Sequence, residues 1–175
     1  RIMASKLKNL SSHTISNDID GKSFSVGVIV SEYHENITGA LLQGCIETLL
    51  KHGVDEKNIV VDFVPGAYEL PSAAALFLQQ YEFNAVICLG CVIKCDTDHD
   101  QYINQAVSNE LMRLSTEMLT PVIFGLLTTN DLQQALDRSG GKHGNKGEEC
   151  AMAALKMAAL YQRHDVADDD ASLYN

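Results

Sequence analysis

Short uninterrupted apolar runs alternate with amphipathic stretches through the middle of the chain. Phe24 to Val30 is rich in β-branched residues and reads as a buried strand. Leu41, Leu42, Cys45, Ile46, Leu49 and Leu50 then recur at helical spacing, with Thr38 as the expected cap and Gly53 as the stop. Ile59 to Val64 is a second strand, closed by Pro65-Gly66. Glu69 to Tyr81 follows as a helix with Pro71 in its first turn, where a missing N–H costs little. Ala85 to Ile93 is a third strand, apolar on both faces. Gln101 to Met118 carries Ile103, Ala106, Val107, Leu111, Leu114 and Met118 on one side of a helix. Pro121 to Leu127 is the fourth strand, Asp131 to Arg138 a short helix, and Glu148 to Tyr161 a longer one.

The order is βαβαβαβα, with strands that read as continuous apolar runs. Such runs imply burial on both faces, hence a parallel sheet covered by helices. The expected architecture is α/β: a three-layer αβα sandwich of flavodoxin-like type around a four-stranded parallel sheet. Ligands in such folds bind beyond the carboxyl ends of the strands. The loops after Val30, Phe63, Ile93 and Leu127 should therefore meet. Residues 1–23 are polar and read as an N-terminal extension that is irregular alone and orders against a partner. Residues 24–163 form the domain, and 164–175, with Asp168-Asp169-Asp170, an acidic, solvated C-terminal tail.

Composition narrows the function. The 175 residues carry a formal net charge of -10, and the pI is near 4.9. That balance opposes nonspecific binding to nucleic acid or to anionic membrane. No run is long and apolar enough to span a bilayer, and the polar residues at the start lead to the expectation of no signal peptide. Five cysteines, an odd number, read as reduced thiols of a cytoplasmic protein. Against the acidic background, Arg138, Lys142 and Lys146 fall within nine residues of a glycine-rich segment. Arginine offers a fork that matches phosphate oxygens, lysine a point charge, and glycines permit close backbone approach. The segment is a candidate phosphate site.

The other loops hold candidate chemistry too. Tyr33 can stack on a flat ligand. Ala67 allows a ligand near the backbone, and Glu69 can accept hydrogen bonds from hydroxyls or serve only as a first-turn acid. His99 stands beside acids at a helix start, and imidazole is the side chain suited to moving protons near neutral pH. It could equally be a surface histidine. Metal binding by Cys88, Cys91, Cys95 and His99 is disfavoured, because Cys88 and Cys91 lie three apart on a strand and point to opposite faces.

Together these segments resemble the 6,7-dimethyl-8-ribityllumazine synthase family. The resemblance rests on Val64-Pro65-Gly66-Ala67-Tyr68-Glu69-Leu70-Pro71, on Ile93-Lys94 with Thr97 and His99, on Phe124-Gly125 with Leu127-Thr128, and on Ala135, Arg138, Gly140 and Gly144-Asn145-Lys146-Gly147. It implies condensation of 5-amino-6-(D-ribitylamino)uracil with 3,4-dihydroxy-2-butanone 4-phosphate, releasing phosphate and water, with no cofactor and no metal. By the same resemblance Tyr33 stacks on the pyrimidine, Ala67, Tyr68 and Glu69 hold the ribityl chain, and Cys91, Val92 and Ile93 read the pyrimidine edge. Lys146 joins these residues at the pyrimidine and ribityl part of the site. Asp96 and Thr97 match the turn that receives phosphate, Arg138 its cationic clamp, and His99 the proton-transfer residue. Phe124 matches a ring that enters a neighbouring subunit.

The family assembles as pentamers or as 60-subunit icosahedral shells with sites between adjacent subunits, and riboflavin synthase is a further partner. Cys95 stands where the family commonly has glycine, and Asp100-Gln101 where it has an aromatic residue and an acid. Two alternatives remain at this point: an archaeal-type riboflavin synthase, and a flavin- or lumazine-binding shell protein with weakened catalysis.

Overall fold

The computed structural model describes residues 18–171, with side chains through residue 164. The rest of the N-terminal extension and the last residues of the acidic tail lie outside the described residues. Four strands, β1 (Val26–Ser31), β2 (Ile59–Val64), β3 (Ala85–Ile93) and β4 (Val122–Thr129), form a parallel sheet in the order β2-β1-β3-β4. Between and after them run α1 (Glu35–Lys51), α2 (Leu70–Gln80), α3 (His99–Glu117), the short α4 (Leu132–Asp137) and α5 (Lys146–Ala171). The expected flavodoxin-like sandwich is the observed fold.

Strand parity divides the core. Val26, Val28 and Val30 of β1, with Ala85, Ile87, Leu89 and Cys91 of β3, pack on the face covered by α1 and α5. Ile29, Val86 and Cys88 point the other way, into the layer of α2 and α3. Cys88 and Cys91 therefore lie on opposite faces, as a strand requires. All five cysteines are free, and only Cys95 is exposed.

Some boundaries move for physical reasons. Helix α1 starts at Glu35, not at a Thr38 cap: His34 precedes it with φ 60, and its carbonyl accepts from the amides of Ile37 and Thr38 at 2.8 and 3.0 Å. Thr38 is buried inside the first turn. Gly53, at φ 91, ends the helix as expected. β2 is not buried on both faces: it is an edge strand, and Asp62 and Phe63 are exposed. α3 begins at His99 rather than Gln101, and along its apolar side Val107, Leu111 and Leu114 are buried while Ala106 and Met118 are exposed. The first part of the acidic tail is helical, because the α5 backbone continues to Ala171. Residues 18–23 of the extension are irregular, but they order against the chain's own domain. Gly21 N–H donates to the His52 carbonyl at 2.7 Å, and Ile19 packs on the core.

The glycine-rich segment is not a loose loop. Ser139–Gly141 (β5) and Gly144–Asn145 (β6) pair as a small antiparallel ribbon that leads into α5. Asn145 locks it to the domain. Its side chain is buried, donates to the Ala40 carbonyl at 2.9 Å and accepts from Gly147 N–H at 2.8 Å. Asn145→Ala leaves buried backbone groups unmatched, and a loss of about 1–3 kcal/mol is expected by urea denaturation.

Candidate active site

The strand order reverses between β1 and β3, so the loops leaving them diverge to opposite faces and open a crevice. A cavity of about 550 Å³ occupies this position, on the α2/α3 side. Its walls are Tyr33 and His34 after β1, Gly66 to Glu69 after β2, Cys91 to Ile93 at the end of β3, then Cys95, His99, Asp100, Tyr102 and Ile103. Eight of the thirteen residues expected to form the site converge here: Tyr33, Ala67, Tyr68, Glu69, Cys91, Val92, Ile93 and His99.

Local backbone interactions hold these groups in place. Glu32 N–H donates to the Val64 carbonyl at 2.8 Å and Tyr33 N–H to the Pro65 carbonyl at 3.3 Å, tying the first loop to the second. His34 pays for this turn with a left-handed conformation, unusual for a residue with a Cβ. Gly66 sits between two side chains of the site: a Cβ there would lie 3.1 Å from Glu69 Oε2 and 3.1 Å from the Tyr33 ring. Ala67 to Glu69 form one turn of 3₁₀ helix ahead of α2. Most of the lining is carbon, with polarity confined to the two histidines, the tyrosine hydroxyls, Glu69, Asp100 and the Cys95 thiol. Asp100 Oδ1 is a buried acceptor without a partner among the described residues. It is available to a donor on a ligand.

The turn before α3 differs from expectation in its chemistry. Asp96 and Thr97 are exposed and do not line the cavity. The Cys95 thiol bonds to Thr97, at 3.4 Å from both its carbonyl oxygen and its Oγ1. Those bonds, the hydroxyl's first, hold the thiol below its ordinary range. Burial instead pushes the Cys91 and Cys150 thiols up to about 11, and raises Cys45 and Cys88 as well. Since thiolates react, one thiol per chain should react rapidly with Ellman's reagent in the native protein. The other four should respond only after unfolding, and Cys95→Ser should abolish the fast phase.

Three more expected residues stand apart from the cavity. Phe124 lies on edge strand β4 and is 39 % exposed, although Val122 and Leu126 on the same side are buried. Arg138 and Lys146 belong to the α1/α5 side of the sheet. Arg138 Nη2 pairs with Glu149 Oε1 at 2.8 Å, its Nη1 donates to the His143 carbonyl at 2.8 Å, and Lys146 Nζ lies 3.4 Å from Glu149 Oε2. Within one chain the guanidinium and the His99 imidazole do not share a pocket. The cation cluster is also less bare than the sequence suggests, since only Lys142 is exposed and outside any ion pair among the described residues.

The sequence reading missed His34, Gly66, Cys95, Asp100, Tyr102 and Ile103 as lining residues. Tyr102 and Ile103 could have been found, because they lie one helical turn after His99 on the same side of α3. His34 carried no such signal.

The family model for 6,7-dimethyl-8-ribityllumazine synthase matches residues 23–162. The chain belongs to this family. It is 48 % identical over 158 residues to a Porphyromonas gingivalis protein named 6,7-dimethyl-8-ribityllumazine synthase, covering 90 % of this chain and 98 % of that one. A Cytophaga hutchinsonii protein of the same name is also 48 % identical over 158 residues, with the same coverage. A Phocaeicola vulgatus protein of that name is 44 % identical over 155 residues, covering 89 % of this chain and 92 % of the relative.

Proposed function

We propose that the protein condenses 5-amino-6-(D-ribitylamino)uracil with 3,4-dihydroxy-2-butanone 4-phosphate to give 6,7-dimethyl-8-ribityllumazine, the transferase step before riboflavin itself is made. The observation that carries this reading is the meeting of Tyr33, the Ala67 to Glu69 turn, the Cys91 to Ile93 strand end and His99 around one cavity in a chain of this family. The family match and the relatives' names do not favour the riboflavin synthase or the catalytically weakened shell.

The roles follow from the chemistry. The Tyr33 ring stacks on the flat pyrimidine, the strand-end backbone from Cys91 to Ile93 reads its edge, and Glu69 accepts hydrogen bonds from ribityl hydroxyls. The 5-amino group attacks the ketone and loses water to form an imine. A proton leaves the neighbouring carbon, phosphate departs from the next, and the ribitylamino nitrogen closes the ring with loss of a second water. His99, exposed at the mouth of the cavity, moves these protons. The amides of Asp96, Thr97, Asp98 and His99 have no acceptor among the described residues and stand at the start of a 19-residue helix, which favours a phosphate there. Much of the acceleration comes from holding two substrates together.

Arg138, Lys146 and Phe124 complete the site from an adjoining copy. In one chain they lie away from the cavity, and the exposed Phe124 ring on an edge strand is placed to reach a neighbour. We therefore take the active form to be a homo-oligomer, a pentamer or a shell of pentamers, acting in the cytoplasm. The direct test mixes the purified protein with both substrates and follows the fluorescent lumazine. Product formation above the protein-free rate is expected; a rate equal to it would overturn the reading.

A further inference from the structure

Glu149 has no place in the roles above, yet it touches Arg138, the cation assigned to phosphate, and Lys146 beside it. It sits in the first turn of α5, where the helix dipole favours an anion. Both of its oxygens face Arg138 Nη2, at 2.8 and 2.9 Å, and one also faces Lys146 Nζ at 3.4 Å. The Arg138 and Glu149 side chains are each only 17 % exposed, so water screens the pair weakly. A second anchor, the His143 carbonyl 2.8 Å from Arg138 Nη1, fixes the other arm of the fork.

From this arrangement we propose that Glu149 is a positioning residue for phosphate recognition. Its oxygens aim Arg138 and Lys146, and its charge offsets part of theirs, so that phosphate is bound but also released. The proposal rests on the reading of Arg138 as the phosphate cation. The two functions of the carboxylate are separable. Glu149→Gln keeps an acceptor for Arg138, and the His143 carbonyl still holds the guanidinium, so the aim survives while the offsetting charge goes. Glu149→Ala removes both.

The test uses the full chain in its assembled form, with inorganic phosphate as inhibitor against the phosphate-bearing substrate. In Glu149→Gln the inhibition constant of phosphate should fall roughly three- to tenfold, the effect of one unit charge a few ångströms away in a partly solvated site. The KM for that substrate should fall with it, while kcat drops as phosphate leaves more slowly, and added salt should shrink the difference. In Glu149→Ala both constants should rise, because the cations lose their aim. Arg138→Ala serves as the control and should raise both constants. Phosphate inhibition unchanged by Arg138→Ala would remove Arg138 from the phosphate site. A raised inhibition constant in Arg138→Ala, combined with Glu149→Gln that is unchanged or weaker than the parent, would overturn the proposal for Glu149 alone. Thermal melting of Glu149→Gln, near that of the parent, excludes loss of fold as the cause.

Discussion

Replacing Gly147 by alanine should cost more than about 3 kcal/mol of stability or prevent folding altogether, an effect at the extreme end for a single methyl group. Helix propensity argues the other way, since alanine exceeds glycine by about 1 kcal/mol inside a helix. The tertiary contact decides the sign. A Cβ at this position would fall 1.8 Å from the Leu41 carbonyl oxygen and 2.7 Å from its carbon. Both are backbone atoms of α1, so no side chain can rotate away, and the two helices would have to separate. Leu41 and Leu49 of α1, with Ala151 and Leu155 of α5, are fully buried between them. Separation would therefore open the core, with the accompanying loss of apolar burial. Gly39 provides the contrast. It lies on the exposed side of the same α1, and a Cβ there meets nothing within 4 Å. Gly39→Ala should stabilise by about 0.5–1 kcal/mol. Urea denaturation of the two variants beside the parent checks both signs. A Gly147→Ala protein as stable as the parent would mean that α1 and α5 do not approach so closely.

The second large effect concerns the sharing of the site between copies. A variant lacking Arg138 (Arg138→Ala) and one lacking two groups of the cavity (Glu69→Ala with His99→Ala) should each be nearly inactive. If the guanidinium of one copy serves the cavity of the next, mixing the two should restore activity. In a statistical mixture of a cyclic assembly about a quarter of the interfaces join an intact cavity to an intact Arg138. Recovery to about that fraction of parental kcat is expected after joint unfolding and reassembly, or after co-expression. No recovery, in assemblies shown by mass to contain both chains, would mean that each chain supplies its whole site. The basis is geometric: the cavity opens on the α2/α3 side, whereas Arg138 is pinned through Glu149 to α5 on the other.

Much of the molecule was legible before any coordinates. The four strands, the helices between them and the parallel order of layers followed from apolar runs and helical spacing, because burial on one or two faces imposes those periods directly. The opposition of Cys88 and Cys91 followed from strand alternation alone. Ala67 and Glu69 were readable as parts of a binding loop, since a proline–glycine turn at a strand's carboxyl end can lie only at the ligand-binding edge of such a sheet, and Tyr68 between them followed from the family resemblance. Element ends were less legible. His34 caps α1 in a left-handed conformation that no pattern announces, and α3 reaches back to His99 across a polar stretch. The exposure of β2 was hidden for another reason. Its apolar run resembles that of a central strand, and only the sheet order makes it an edge.

The sequence by itself determined the fold class and the alternation of layers, because these depend on local periodicity, and its resemblance to a family, carried by short contiguous motifs, pointed to eight of the residues around the cavity. The tertiary structure alone decided where the cations stand. Arg138, Lys146 and Glu149 form an ion-paired group on the face of the sheet away from the cavity. Pairing between residues eleven apart, across a β-ribbon anchored to α1 through Asn145, leaves no periodic trace in the chain. Whether a charged side chain faces a ligand or a counter-ion depends on the three-dimensional path between them, and that path exists only once the helices have packed.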